Sequence, residues 1–154
     1  MQTHRSLIIA VALMGLFVAS QAMAQGQSPS RPPFFAVLLG GNEVSDEGEA
    51  NVGDPNGVGS ATTLIDDTTL CFGLTVNNLD EPTAAHIHRG VAGVNGPIVV
   101  PLTAPVSGNP GASGECIPEV ESELVKEIRA NPGGFYVNVH TEKFPAGAVR
   151  GQLF

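Results

Sequence analysis

The sequence predicts an all-β fold, an antiparallel and Greek-key-like β-sandwich that carries one short helix at about residues 118–130. Three observations favour this class. Short runs rich in valine, isoleucine and threonine recur along the chain, and Gly, Pro, Asn or Asp residues bound them. Only one segment has apolar residues at helical spacing. The runs do not alternate with helices, as a parallel α/β sheet would require.

The first 24 residues have the features of a secretory signal peptide. His4 and Arg5 form a short positive region, residues 7–19 are apolar, and residues 22–24 provide a small-x-small cleavage site. The apolar run is shorter than the roughly 20 residues that a membrane-spanning helix needs. We therefore expect an exported protein, periplasmic or extracellular, with no membrane span after cleavage.

One domain is expected to follow. Residues 25–33 are polar and rich in proline, which is typical of a flexible leader. The domain then occupies residues 34–154, a length that can bury a core. Residues 34–39 form an apolar run that predicts a buried first strand, and an acidic loop follows it as far as Asn56.

The middle of the domain predicts four further strands. Residues 57–65 and 69–76 flank an Asp-Asp turn and predict an antiparallel hairpin. One face of its second strand is apolar; the residues are Leu70, Phe72, Leu74 and Val76. A strand at 84–90 follows, then a segment too rich in glycine for regular structure, then a strand at 98–102 that Pro101 limits or places at an edge.

The last third contains a predicted loop, the helix and two strands. Residues 103–117 are rich in Pro, Gly and Ser and predict a loop. Pro118 begins the predicted helix, which has acidic residues early, basic residues late and an apolar stripe for docking on a sheet. Residues 135–140 and 148–153 predict the final strands.

Cys71 and Cys116 are the only cysteines. In an exported protein a single disulfide between them is expected, because the compartment is oxidising. The spacing is not C-x-x-C, which disfavours a redox or metal-binding thiolate pair.

Charge and missing motifs exclude several functions. Fifteen acidic residues stand against seven basic ones, for a net charge of −8, which opposes binding to nucleic acid or anionic membranes. There is no Gly-x-Ser-x-Gly elbow and no defined carboxylate pair. Whether the chain is an enzyme stays open, with the sequence favouring a non-catalytic role; the expected partner is an extracytoplasmic protein or polymer.

Three histidines fall in two alternating segments. His86 and His88 share one face of their strand, with Ile87 in the core, and His140 ends a second strand. Adjacent strands lie about 5 Å apart, so the three imidazoles can converge on one ion. Three nitrogens with open positions suit copper, with zinc as second choice.

The same alternation places further side chains near the histidines. Tyr136 and Asn138 fall on the same outer face, and Arg150 takes an outward position on the last strand, where it guides an anion or pairs with Glu142. The alternative is structural. In that interpretation His86 and His88 bond carbonyls of the 90–97 segment, His140 caps a turn, and Arg150 pairs with a carboxylate or carbonyl.

The histidine strand belongs to an ordered set of motifs. They read LLGGNEV (38–44), GDPNGVG (53–59), AAHIHRG (84–90), GVNGP (93–97), GFYVNVHT (134–141), FPAG (144–147) and VRGQL (149–153). Over residues 34–154 this order resembles the CHRD domain, named for its repeats in chordin and found singly in exported bacterial proteins. Ser45-Asp46 stands where the family usually has prolines. The resemblance implies an extracellular β-sandwich that acts as a binding or scaffolding module.

The histidines alone resemble part of another site. Copper-zinc superoxide dismutases are β-sandwiches that take copper ligands from a His-x-His strand and a later strand, and His86, His88 and His140 are similar to those positions. No fourth histidine follows the signal peptide, so a bridged two-metal site is not expected. The alternative function is therefore a mononuclear copper protein for storage, delivery or weak dismutase-like redox chemistry.

Overall fold

The computed structural model describes residues 32–154, which form an antiparallel sheet of eight strands and one α-helix. The strands are β1 (Phe34–Leu39), β2 (Val58–Asp66), β3 (Thr69–Asn77), β4 (Pro82–Arg89), β5 (Ile98–Leu102), β6 (Gly111–Ile117), β7 (Phe135–Thr141) and β8 (Val149–Gln152). The predicted all-β class is confirmed. The predicted signal peptide at 1–24 and residues 25–31 of the predicted leader lie outside the described residues.

The strands form one continuous sheet in the order β5-β4-β7-β8-β1-β2-β3-β6. The sheet curls, so its two halves face each other as the layers of a sandwich do. Leu38 and Leu74 from one half share a single buried core with Ile87 and Val139 from the other. Some strands that pair in the sheet are distant in sequence, such as β1 and β8, so the chain must cross over other strands to connect them.

The first strand is half-buried, whereas the sequence predicted a buried one. Ala36 and Leu38 lie in the core, but Phe35 and Val37 are 44% and 56% exposed. The reason is that β1 lies inside the sheet, where one face meets the core and the other is the outside of the molecule. An apolar run alone cannot distinguish this from burial on both faces.

The predicted hairpin is present as β2 and β3. Asp67 adopts a positive φ of 49° in the turn between them, a conformation that Asp tolerates better than most residues. The apolar face of β3 packs into the core as the alternation predicted; its members are Leu70, Phe72, Leu74 and Val76.

The predicted loop at 103–117 is wrong in its second half, which forms β6 at the edge of the sheet. This strand is mostly exposed, so it lacks the apolar alternation that would have identified it. Cys116 lies directly opposite Cys71 of β3, and the two form the expected disulfide. Thr103, just after β5, donates a hydrogen bond to Glu115 of β6, which brings the two sheet edges together.

The helix α1 spans Ser122–Ala130 and begins later than the predicted Pro118. Glu119 has a φ of +57°, which no α-helix accommodates, so the preceding residues form a turn. Leu124 and Ile128 of the predicted apolar stripe are buried against the sheet. Within residues 32–154, no helix is long and apolar enough to cross a membrane.

Candidate metal centre

Strands β4 and β7 position the three histidines. The two strands pair in an antiparallel register. Each residue of β4 faces one of β7, in the pairs Ala84–His140, His86–Asn138, Ile87–Val137 and His88–Tyr136. Ile87 and Val137 are completely buried in the core. Because strand side chains alternate, the histidines point to the other face of the sheet.

The three imidazoles meet on that face. Nδ1 of His86 lies 3.0 Å from Nε2 of His140. The ring centre of His88 is 5.5 Å from that of His86 and 6.5 Å from that of His140. One nitrogen from each residue lies within 4.8 Å of the other two. Metal–imidazole bonds are about 2.1 Å long, so a small movement of the side chains brings all three nitrogens within reach of one ion.

Backbone carbonyls fix the protons on two of the rings. Nδ1 of His88 donates to the carbonyl of Gly96 at 2.8 Å, and Nδ1 of His140 donates to the carbonyl of Pro145 at 3.0 Å. A carbonyl only accepts, so each Nδ1 carries the proton and each Nε2 keeps its lone pair in the neutral ring. Outer contacts of this kind orient histidine ligands in metal sites.

The environment favours neutral imidazoles. Burial is the main cause that lowers the pKa of His86, His88 and His140 below the ordinary value. For His86, the nearby charges that His140 and His88 would carry lower the pKa further. All three rings are therefore in the form that binds metal at neutral pH.

The outer face next to His88 is covered, although the alternation alone suggested exposure. The ring of Tyr136 stacks on His88, with ring centres 4.7 Å apart and an angle of 10° between planes. On the same side of the sheet, the guanidinium carbon of Arg150 lies 3.4 Å from the centre of the Tyr136 ring. Both residues are almost fully buried, because the 90–97 segment folds over them.

Arg150 holds that segment in place and does not pair with Glu142. Its guanidinium donates to the carbonyls of Val91 (3.1 Å) and Val94 (2.6 Å) and to Oδ1 of Asn95 (3.0 Å). The structure therefore places Arg150 as a support of the segment that carries Gly96, the anchor of His88.

Two buried polar residues complete the surroundings. Asn138, opposite His86, is 2% exposed, and its Oδ1 has no hydrogen-bond partner within residues 32–154. Glu43, which the sequence analysis did not single out, is also buried. Burial raises its pKa to about 7, although the charge of Arg150 acts to lower it. The signal in the sequence was the place of this acid in the LLGGNEV motif, directly after Gly-Gly-Asn.

The chain was compared with known families, curated proteins and solved structures. A family model described as CHRD domain matches residues 34–153. No curated protein and no solved structure matches.

Proposed function

Because the chain belongs to the CHRD domain family, we propose that it is an exported binding module that holds one copper ion between His86, His88 and His140. The convergence of three imidazoles is the observation that carries this proposal. Export is supported by the signal-like first 24 residues and by the disulfide, which persists in an oxidising compartment.

Copper is favoured by the donor set. Imidazole nitrogen suits copper and zinc, and among common divalent metals copper binds such sites most strongly. Three protein nitrogens also leave positions open for a further ligand. The role that follows is storage or delivery of the ion, or modest redox chemistry at the open position; zinc is the second choice.

Equilibrium dialysis of the purified mature protein against Cu(II) tests the proposal. We expect about one bound ion per chain, and its loss in His88→Ala, because the variant removes one of three ligands. Arg89→Ala is the matched control, since Arg89 is the exposed neighbour of His88 on β4 and pairs with Glu127. Equal binding by wild type and His88→Ala would refute the site.

A second candidate function is contact with an extracytoplasmic protein or polymer as a scaffolding module. The family supports it, and so does an exposed apolar surface on the outer face of β1, formed by Phe35, Val37 and Leu39. Phe154 extends this surface, with its ring centre 6.2 Å from that of Phe35. Exposed apolar patches of this kind often mark interaction sites.

Cross-linking in the native compartment tests the second candidate. We expect a defined cross-linked species for the wild type and its loss in Val37→Lys, which places a charge in the middle of the surface. Asp66→Lys, an exposed position on the neighbouring β2, is the control for added positive charge. A wild-type chain that is found alone would contradict the scaffolding role.

A further inference from the structure

We infer that Asn138 supplies the fourth protein donor of the metal centre, its carboxamide Oδ1, beside the three imidazole nitrogens. This inference rests on the proposed function, because it concerns the same ion. It changes the chemistry assigned to the site, from three nitrogens to three nitrogens and one oxygen.

The backbone places Asn138 at the centre. On β7 it lies two residues before His140 and therefore on the same face, and across the sheet it is the register partner of His86. The side chain is 2% exposed, so solvent does not satisfy it. Its Oδ1 is buried and accepts no hydrogen bond within the described residues.

A second unpaired atom lies beside it. Nε2 of His88 is also buried and has no hydrogen-bond partner within residues 32–154. Nδ1 of the same ring carries the proton, because it donates to Gly96, so Nε2 offers only a lone pair. The Asn138 oxygen likewise can only accept. Two acceptors cannot bond to each other, and a cation between them satisfies both.

The carboxamide is close to two of the three rings. Asn138 is the register partner of His86, and Tyr136, two residues before Asn138 on β7, is the register partner of His88. The Asn138 side chain therefore lies directly opposite one ring and diagonally opposite the other. His86 and His140 are themselves 3.0 Å apart at their facing nitrogens, so the third ring lies next to the same group of side chains.

An oxygen donor favours divalent copper or zinc over Cu(I) as the bound ion. Carboxamide oxygen is a harder donor than thiolate or thioether, which are the ligands that select Cu(I). A centre of three imidazoles and one carbonyl-type oxygen suits Cu(II) or Zn(II). We therefore expect the site to bind Cu(II) more tightly than Cu(I).

If the Asn138 carboxamide were turned by 180°, we would expect removal of Asn138 to strengthen metal binding. If Nδ2 pointed toward Nε2 of His88, Asn138 would donate a hydrogen bond to that nitrogen and compete with the ion. Oxygen and nitrogen of an amide are told apart by their hydrogen bonds. The direction in which metal affinity changes on removal of Asn138 distinguishes the two orientations.

Competition titrations with a chelator of known affinity test the inference on the purified mature protein. We expect Asn138→Leu to bind Cu(II) and Zn(II) at least about 10-fold more weakly than wild type, because even the loss of an outer partner of a metal ligand typically costs about that much. Asn138→Asp keeps an oxygen at this position and is expected to retain the affinity or increase it. Unchanged or tighter binding by Asn138→Leu overturns the inference and leaves the three-histidine site standing.

A second measurement uses wild-type protein, so its result does not depend on whether a variant folds. In wild-type protein, the ¹³C signal of the Asn138 side-chain carbonyl should shift when Zn(II) is added, whereas that of exposed Asn78 should not. An unshifted Asn138 signal in zinc-bound protein overturns the inference. A wild-type chain that binds neither metal overturns both this inference and the proposed function.

Discussion

At the scale of single residues, the position of the proton on two of the imidazoles determines which ring nitrogens keep a lone pair for the proposed metal ion. The Gly96 and Pro145 carbonyls hold the Nδ1 protons of His88 and His140. Both Nε2 atoms thereby keep their lone pairs before any ion arrives, and that of His140 lies 3.0 Å from Nδ1 of His86. Such preorganisation reduces the ordering cost of binding.

Glu43 is a buried acid whose ionisation opposes folding. Its pKa is about 7 in the folded protein, against an ordinary value of 4.5. Below about pH 4.5 the carboxyl is protonated in both the folded and unfolded states, so it adds no penalty. As the pH rises to 7 the unfolded chain loses this proton first, and the stability of the fold falls.

Replacement of Glu43 should therefore stabilise the protein at high pH. We expect Glu43→Gln to raise the free energy of unfolding at pH 8 by about 1–3 kcal/mol, and by much less at pH 5. Urea unfolding at the two pH values measures the difference. The effect is taken as the difference between wild type and Glu43→Gln at each pH. The lowered pKa values of the three histidines make the stability of both proteins rise with pH over part of the same range.

The control for this experiment is Glu49→Gln, which removes one negative charge from an exposed position near Glu43 in sequence. A Glu43→Gln protein that is less stable than wild type at pH 8 would contradict the account. It would mean that attraction to Arg150 outweighs the cost of burying the carboxylate.

At the scale of elements, the 90–97 segment depends on one side chain of β8. Arg150 is 1% exposed, makes three hydrogen bonds to the segment and lies over the Tyr136 ring. We expect Arg150→Ala to lower the free energy of unfolding by about 3 kcal/mol, since the variant loses three hydrogen bonds from a buried charged group and its packing on Tyr136. Hydrogen exchange at residues 91–95 should accelerate in the same variant.

Arg89→Ala is the matched control, because Arg89 and Glu127 form an ion pair in which both side chains are 46% exposed. We expect it to cost less than about 1 kcal/mol. If the two arginine variants were equally stable, the segment would not be anchored as described.

The disulfide joins the edge strand β6 to β3, and neither strand carries a histidine of the centre. The double variant Cys71→Ala/Cys116→Ala should lower the free energy of unfolding by about 2–4 kcal/mol. Its affinity for Cu(II) should be unchanged. Urea unfolding and a copper titration on the same sample check both statements, and a loss of copper binding would show that β6 supports the centre.

Element prediction from the sequence succeeded where burial imposes a period. The hairpin and the two histidine strands alternate because one face of each meets the core. The strand β6 was missed because both of its faces are largely exposed and because it contains two glycines and a serine. The start of α1 was misplaced because the backbone of Glu119 is left-handed, which Pro118 and the acidic residues do not reveal.

At the scale of the whole molecule, the centre is assembled by the curled sheet and by loops that pack over it. Alternation predicted that His86, His88 and His140 share a face, and adjacency of β4 and β7 brings them together. The carbonyls that orient the rings come from the segments around Gly96 and Pro145. Irregular backbone has no period, so the sequence did not predict which nitrogen of each ring is available.

The net charge also acts at this scale. A chain with a net charge of −8 attracts cations in general, and its exposed acids offer weak, scattered contacts for them. A specific centre must therefore be distinguished from this background by stoichiometry and by the donor atoms on the ion. Nitrogen coupling identifies imidazole, which the acidic surface cannot supply.

Electron paramagnetic resonance tests the three-histidine centre most directly, with one equivalent of Cu(II) bound to mature protein labelled with ¹⁵N only at histidine. We expect a single copper species whose hyperfine pattern changes with the label and fits three nitrogen donors. In His140→Ala the pattern should fall to fewer donors. A label-independent spectrum, or the same spectrum from wild type and His140→Ala, would contradict the three-histidine centre.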